Sequence, residues 1–192
     1  MSKVRDSVPS IIRWVTILAI VAYPIAVWCG LKTWGMGILA PLLGSVFILR
    51  LLTFRGKLSQ LTFFGKAIAL AGIALVAISV LLRETSLLLY YPVAVNLLLF
   101  ILFFSSLRAR QSIVERLARL SEPDLPPAGV SYTRRVTQVW CIFFVFNGSL
   151  ALYTCLNGDV GLWALYNGGI SYLLIGLLMG IEWTVRKRLQ RS

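Results

Sequence analysis

The sequence predicts an all-α fold, a polytopic bundle of six transmembrane helices with an interfacial amphipathic helix between the fourth and the fifth. Two observations predict this class. Of the 192 residues, 58% are hydrophobic and only 14% are charged, which is more apolar surface than a soluble domain of this length buries. The apolar residues also form blocks, most of them near the roughly 20 residues that cross a bilayer as a helix, without the alternation of a β-barrel strand.

The six apolar blocks define one integral membrane domain over residues 1–192. Because hydrocarbon offers no hydrogen bonds to the backbone, each block is expected to be helical. The first block follows basic residues, as a signal peptide does, but it is long and lacks a clean small-residue cleavage site, so we interpret it as an uncleaved span. The predicted spans cover approximately residues 11–30, 36–53, 62–82, 87–106, 136–156 and 162–183.

Basic residues concentrate on one side of this layout. The chain carries 19 Lys and Arg against 7 Asp and Glu, a net charge of +12. Only Lys32 and Arg83 fall on the side opposite the termini. The positive-inside rule therefore predicts that both termini are cytoplasmic. The positive charge is expected to contact anionic lipid headgroups of the inner leaflet rather than nucleic acid.

Residues 107–135 form the one long connection, and two structures are predicted within it. Apolar residues at helical spacing, Ile113 and Leu117 among them, predict an amphipathic helix over residues 107–120 that lies flat on the inner leaflet. Prolines within residues 121–129 predict a stiff, extended segment, because a helix cannot continue through them.

The charged residues of this connection have two interpretations. Arginines on the amphipathic helix can reach lipid phosphates, and Glu115 can pair with Arg119 one helical turn later. The connection then only holds the chain at the membrane surface. Alternatively, charged residues around the prolines form a docking surface for a cytoplasmic protein. The residues concerned are Arg108, Arg110, Arg116 and Arg119 for lipid, and Glu122, Asp124, Arg134 and Arg135 for a partner.

Catalytic and metal-binding chemistry finds little support in the residue types. The chain has no histidine, which removes the commonest general base and metal ligand. Cys29, Cys141 and Cys155 stand alone, without metal or redox spacing, and a disulfide between Cys29 and Cys155 is left open. No charged residue falls near the centre of a predicted span, which disfavours an ion-coupled pump. We therefore predict a non-enzymatic protein without a cofactor or metal.

Polar residues inside the predicted spans are the remaining candidates for a functional site. An asparagine in hydrocarbon needs a hydrogen-bond partner, which a neighbouring helix usually provides. The alternative is a polar site for a lipid headgroup or a polar substrate. The candidates are Asn96, Asn147 and Asn167, with Tyr91, Tyr153 and Tyr166. In the sixth span Gly176 and Gly180 form a GxxxG pair, which we expect to pack within the chain.

The C-terminal half also holds several distinctive segments. They are Ile113–Leu117, Glu122–Pro127, Tyr132–Trp140, Phe143–Gly148 and Trp163–Gly168. Together they resemble a family of small bacterial inner-membrane proteins, often encoded among aryl-polyene or xanthomonadin-type pigment biosynthesis genes. More distantly, the Trp-x-x-Phe-Phe-x-x-x-Gly pattern that begins at Trp140 resembles the intracellular septation protein A family. The resemblance implies a location in the bacterial inner membrane and a role in the cell envelope.

Two functions from different classes are expected on these grounds. The first is an accessory protein of cell-envelope or polyene-lipid biogenesis, which holds or recruits envelope-biosynthesis proteins without catalysing a reaction. The second is a small transporter or flippase for a lipid-linked product. An acyl or glycosyl transferase is least favoured, because no catalytic carboxylate or histidine is placed for it.

Overall fold

The computed structural model describes residues 23–33, 35–53 and 59–189, which fold mostly into helices. The α-helices are α1 (Tyr23–Thr33), α2 (Gly35–Thr53), α3 (Ser59–Leu82), α4 (Tyr91–Arg108), α5 (Ile113–Ala118), α6 (Pro127–Leu156), α7 (Val160–Leu165) and α8 (Ser171–Leu189). A 3-10 helix, Thr85–Tyr90, precedes α4, and a π turn, Tyr166–Ile170, joins α7 to α8. The predicted all-α fold is confirmed for the described residues.

Four helical stretches in the described part of the chain are long and apolar enough to cross a membrane. They are Gly65–Leu82, Thr85–Arg108, Pro127–Leu156 and Val160–Arg188. They correspond to the third to sixth predicted spans. In α2 the apolar stretch is shorter, Ala40–Leu52, and most of the first predicted span, 11–30, lies outside the described residues. The structure thus supports a membrane protein.

The bundle has two ends, which we name the turn end, where Thr85–Tyr90 lies, and the connection end, where residues 109–126 lie. At the turn end, the Trp163 indole of α7 donates a hydrogen bond to the carbonyl oxygen of Leu89 at 2.9 Å. At the connection end, the Tyr132 hydroxyl of α6 donates to a backbone carbonyl of α8 at 3.1 Å. Helices distant in sequence are therefore tied together at both ends.

Helices α4 and α6 form the most extensively packed pair of the bundle. Toward the connection end, the Phe103 ring of α4 lies 5.1 Å from Phe144 and 6.2 Å from Trp140 of α6, between ring centroids. Farther along the pair, a Cβ added to Gly148 of α6 would lie 3.0 Å from the Cβ of Asn96 in α4. A glycine at this position lets the two backbones approach closely. Helix α2 packs on α3, α3 on α4, and α1 on α2 and α7.

The prediction of one continuous amphipathic helix over residues 107–120 is wrong. Helix α4 continues to Arg108, and the chain then leaves the helical conformation until Ser112. Ser112 has an extended backbone, with φ −68° and ψ 159°, and its side chain accepts a hydrogen bond from the N–H of Glu115. This N-cap begins a new, short helix, Ile113–Ala118, because it satisfies one of the unpaired N–H groups of the first turn.

Helix α6 starts at Pro127, whereas the sequence predicts an extended segment as far as residue 129 and a span only from residue 136. Proline suits the first turn of a helix, because its missing N–H has no intrahelical partner there and its φ is already helical. Pro126, with an extended backbone, precedes the first turn. The non-helical part of the connection is therefore shorter than predicted.

Candidate functional site

Hydrogen bonds between side chains join α4, α6 and the π turn inside the bundle. Asn147 of α6 donates from Nδ2 to Oδ1 of Asn96 in α4 at 3.0 Å. The Tyr166 hydroxyl donates to Oδ1 of Asn147 at 2.8 Å, and Asn96 donates from Nδ2 to the carbonyl oxygen of Pro92 at 2.8 Å. All three side chains are buried. The structure thus brings three of the six candidate polar residues into one series.

Asn167 takes part in a second set of hydrogen bonds. Its Nδ2 donates to Oγ1 of Thr154 at 3.2 Å and to the carbonyl oxygen of Trp163 at 3.0 Å. The Trp163 indole and the Cys155 thiol both donate to the carbonyl oxygen of Leu89, at 2.9 Å and 3.1 Å. These bonds fasten the corner between α6 and α7 to the 3-10 helix that precedes α4.

The π turn accounts for two adjacent side chains that are both buried. Neighbouring residues of an α-helix point about 100° apart, so only one of a pair usually faces a given helix. In a π turn the hydrogen bond closes one residue later than in an α-helix. Tyr166 and Asn167 are both buried within this turn, and both bond to side chains of α6. Such turns occur frequently at functional sites.

Sequence reasoning missed three members of these hydrogen-bonded sets: Thr154, Cys155 and Trp163. A signal for two of them exists, because Thr154 and Cys155 follow Asn147 at i+7 and i+8, on the same face of a helix. No comparable spacing identifies Trp163, whose partner is a backbone carbonyl. The Cys29 and Cys155 thiols are both free in the structure, so the open possibility of a disulfide between them is not realised there.

Tyr153 does not belong to the interior polar site, and its prediction as a candidate is wrong. Its side chain is 61% exposed, whereas Asn147 on the same helix is 2% exposed. Six residues separate the two, which is a rotation of about 240° around the helix axis. Tyr153 therefore points away from α4 and the π turn.

Tyr91 is buried, and it packs against α2 rather than against the asparagines. Its ring centroid lies 4.9 Å from that of Phe47. Arg50, three residues after Phe47, interacts electrostatically with Tyr91, and its Nε atom is buried. Arg50 lies within the second predicted span, 36–53, and α2 ends at Thr53, where that span is predicted to end.

The connection folds back onto the ends of α4 and α6. The Ser106 hydroxyl of α4 accepts a hydrogen bond from the N–H of Ile113 at 3.0 Å. Ile113 is fully buried in protein, which corrects the prediction that it lies against the inner leaflet. Arg134 of α6 donates from Nη2 to the carbonyl oxygen of Leu107 at 2.7 Å. Hydrogen bonds therefore hold the connection at both ends.

Two arginines expected to reach lipid make contacts within the connection. Arg119 pairs through Nε with Oε1 of Glu115 at 2.9 Å, as predicted, and donates from Nη1 to the carbonyl oxygen of Pro123 at 2.7 Å. Arg116 donates from Nε to the carbonyl oxygen of Gln111 at 3.1 Å. These guanidinium groups stabilise the fold of the connection, because each holds a backbone carbonyl in place.

The other charged candidates of the connection lie at the surface. The Arg108 guanidinium lies over the Phe104 ring, 4.6 Å from its centroid. The exposed residues are Arg108, Arg110, Glu122, Asp124, Arg134 and Arg135. Glu122 and Asp124 flank Pro123, whose carbonyl Arg119 holds. The acidic pair is therefore presented by a backbone that the protein fixes in position.

The GxxxG pair of α8 is open in the part of the chain that the structure describes. A Cβ added to Gly176 or Gly180 would meet none of the described atoms within 4 Å. The predicted packing of this pair within the chain is therefore not seen among those residues. A shallow, mostly apolar groove starts at Tyr172 and runs past both glycines.

Within residues 23–33, 35–53 and 59–189, no three Cys, His, Asp or Glu side chains come together as metal ligands would. No known protein family matches the sequence, and neither a curated protein nor a solved structure is significantly similar to it. The resemblance to small bacterial inner-membrane proteins therefore supports a proposal only.

Proposed function

We propose that the chain is a multi-pass accessory protein of the bacterial inner membrane. It acts without catalysis and holds partner proteins of cell-envelope or polyene-lipid biogenesis at the cytoplasmic surface. The observation that carries this proposal is the fixed connection between α4 and α6. Hydrogen bonds from Arg119 and Arg134 hold its backbone, and Glu122 and Asp124 are exposed on it. A surface that is already ordered binds a partner at little cost in conformational entropy.

The interior hydrogen bonds support a packing role for the asparagines. Tyr166, Asn147 and Asn96 donate in series, and the series ends on the carbonyl oxygen of Pro92. Hydrogen bonds of this kind hold membrane helices together at defined positions. A rigid bundle of this kind suits a protein that presents a surface to others.

The proposal includes six spans with both termini in the cytoplasm. The arginines of the connection lie at the connection end, whereas Arg83 lies at the turn end, and positive charge marks the cytoplasmic side. Reporter fusions after Ser121 and Ser192 are expected to be active only with a cytoplasmic reporter. A fusion after Glu84 is expected to be active only with a periplasmic one. A periplasmic Ser121 would overturn the six-span layout.

The scaffold function is tested by substituting the acidic pair. Glu122→Ala with Asp124→Ala is expected to leave insertion and thermal stability unchanged, because both side chains are exposed. The same double variant is expected to weaken the capture of envelope-biosynthesis enzymes in a cross-linking pull-down. Glu84→Ala, an exposed acidic residue at the turn end, is the matched control. Undiminished capture by the double variant would refute the scaffold function.

A small transporter or flippase for a lipid-linked product is the second candidate. The observation that favours it is Arg50 of α2, a charged side chain whose Nε atom is buried. Charged residues inside membrane proteins often mark substrate pathways. Arg50→Gln would then abolish the envelope phenotype, seen in the lipid and pigment extract of cells, while the variant at Glu122 and Asp124 leaves it intact.

A further inference from the structure

An open groove runs along the outer surface where α4 and α6 pack together, and we name it the α4–α6 groove. Residues of both helices line it, among them Phe104 and Leu107 of α4 and Gln138, Val145 and Ser149 of α6. The three residues of α6 follow one another at i, i+7 and i+11, which is a single face of a helix. Val145 is 52% exposed. This face of the pair is therefore open to the surroundings of the bundle.

The length and position of the α4–α6 groove match one leaflet of a bilayer. From Gln138 to Ser149 helix α6 rises by about 16 Å, at about 1.5 Å per residue. The hydrocarbon core of a bilayer is about 30 Å thick, so one leaflet contributes about 15 Å. Leu107 and Gln138 lie nearest the connection end, close to where α4 ends and α6 begins. The groove thus has room along its length for one acyl chain of the leaflet at that end.

Arginines of both helices lie at the connection end of the groove. The Arg108 guanidinium lies over the ring of Phe104, 4.6 Å from its centroid, and Phe104 lines the groove. Arg134 donates from Nη2 to the carbonyl oxygen of Leu107 at 2.7 Å, and Leu107 also lines the groove. These two contacts join positive charge directly to the apolar lining.

Arg135 adds a second exposed guanidinium on the α6 side. It precedes Gln138 by three residues, so the two side chains are neighbours on one face of α6. Neither α4 nor α6 contains an aspartate or a glutamate. In the part of the chain that the structure describes, no ion pair joins Arg108 or Arg135 to a carboxylate. A guanidinium offers a planar fork of donors that fits a phosphate, so this end of the groove suits an anionic headgroup.

We propose that the α4–α6 groove binds an anionic phospholipid of the leaflet at the connection end. Arg108 and Arg135 hold its phosphate, and one acyl chain lies along the groove from Gln138 toward Ser149. Uncompensated positive charge followed by about one leaflet of apolar surface is the order of groups in such a lipid. The proposal goes beyond the scaffold function, because it uses neither Glu122 nor Asp124.

The test titrates the purified full chain, in detergent, with dioleoyl phosphatidylglycerol, using native mass spectrometry and thermal unfolding. The unsubstituted protein is expected to retain the lipid and to gain thermal stability from it. Arg108→Gln with Arg135→Gln is expected to weaken binding about tenfold, because two cations near the phosphate are lost. Lysine at both positions keeps the charge and loses the fork, so a smaller loss is expected.

The matched control removes two exposed arginines from another helix at the same end of the bundle. Arg186→Gln with Arg188→Gln, on α8, changes the net charge equally and is expected to bind the lipid as the unsubstituted protein does. An equal loss of affinity in the two double variants would overturn the site, because binding would then follow the net charge alone.

Two further probes identify what is recognised. Dioleoyl phosphatidylcholine has the same acyl chains without a net charge and is expected to bind about tenfold more weakly. Glycerol 3-phosphate has no acyl chain and is expected not to displace the phospholipid. Equal binding of the two phospholipids would refute recognition of an anionic headgroup, and displacement by glycerol 3-phosphate would refute a lipid as the ligand.

A pair of valines tests the groove independently of the arginines, and keeps the test decisive if the arginine variants fail to fold. Val145, which lines the groove, and Val139, which lies on another face of α6, are 52% and 46% exposed. Val145→Trp fills the groove and is expected to weaken phosphatidylglycerol binding severalfold, whereas Val139→Trp is expected to leave it unchanged. Thermal unfolding of the lipid-free variants checks that both are folded. Unchanged binding by a folded Val145→Trp protein would exclude the groove as the place of the acyl chain.

Discussion

Helix α6 and the helical stretch Val160–Arg188, which includes α8, are alike in length and hydropathy, and they differ in what covers them. Of the apolar stretch in α6, 33% is buried inside the protein, against 17% of the stretch that includes α8. Helix α6 buries a stripe that includes Thr137, Phe144, Asn147 and Ala151 against its neighbours. On α8, Leu173 and Leu177 are more than half exposed. Apolar composition therefore identifies a membrane helix without showing whether its faces contact protein or lipid.

The difference between the two helices follows from polar and small residues. In α6 the buried face carries Asn147, which donates a hydrogen bond to Asn96 of α4. A Cβ added to Gly148 of α6 would lie 3.0 Å from the Cβ of Asn96. In α8 the glycines Gly176 and Gly180 meet no described neighbour. The same residue type thus fixes a helix contact in one place and leaves an open groove in the other.

The largest expected effect comes from one substitution made on both helices. Gly148→Leu forces a large side chain against Asn96 and is expected to destabilise the protein by about 1–3 kcal/mol, the usual cost of overpacking. Gly176→Leu is expected to leave stability unchanged, because its side chain enters open space. Thermal unfolding in detergent compares the two variants. An equal loss in both would show that α8 packs against protein at Gly176.

The second effect concerns the hydrogen bond between α4 and α6. Asn147→Leu removes the donor to Asn96 and the acceptor for Tyr166, and is expected to cost about 1–2 kcal/mol, with function partly retained. Thr184→Val on α8, where the hydroxyl bonds to the carbonyl oxygen of Gly180 in its own helix, is the control. A fully stable Asn147→Leu protein without activity in cells would instead favour a transport site.

A smaller effect is expected in the connection. Arg119→Lys keeps the positive charge but cannot hold Glu115 and the Pro123 carbonyl together, so a loss of about 0.5–1 kcal/mol of local stability is expected. An arginine that contacts only lipid headgroups is expected to tolerate lysine, so this loss distinguishes Arg119 from such a residue. Arg110→Lys is expected to change nothing. Hydrogen exchange of residues 119–126 measures both, and equal exchange in the two variants would contradict this role of Arg119.

The smallest effect is expected at Tyr153. Its side chain is 61% exposed, so Tyr153→Phe is expected to change stability by less than about 0.5 kcal/mol. Tyr166→Phe loses its hydrogen bond to Asn147 and is expected to cost about 0.5–1.5 kcal/mol. Thermal unfolding of the pair shows whether burial, rather than residue type, decides the contribution of a tyrosine in this bundle.

The sequence predicted those parts of the fold that depend on local composition. Spans three to six appear as helices, because a run of apolar residues needs only its own backbone to satisfy its hydrogen bonds. The sequence could not show that Asn96 and Asn147 are hydrogen-bond partners, since the rotation and depth of two helices decide which asparagines meet. It also could not show that Arg50, near the end of the second predicted span, has its Nε atom buried in the protein.

The sequence predicted the residue types of the candidate site better than it predicted how they are arranged. Asparagines in hydrocarbon require partners, and this general requirement named Asn96, Asn147 and Asn167. Backbone acceptors such as the Leu89 carbonyl have no signature in a side-chain sequence, so the role of Trp163 could not be foreseen. Pro127 was expected to interrupt helical structure, whereas it is the first residue of helix α6.

The π turn takes up one extra residue without changing the face that α8 presents. It closes its hydrogen bond one residue later than an α-helical turn, so about one more residue is wound into the same full rotation. Deleting a single residue, Gly168 or Gly169, would return the turn to α-helical form and leave α8 in nearly the same rotation. Tyr166 and Asn167 would then point about 100° apart, and only one of them would face α6. The extra residue thus gives this level of the bundle a second buried polar side chain from the same helix.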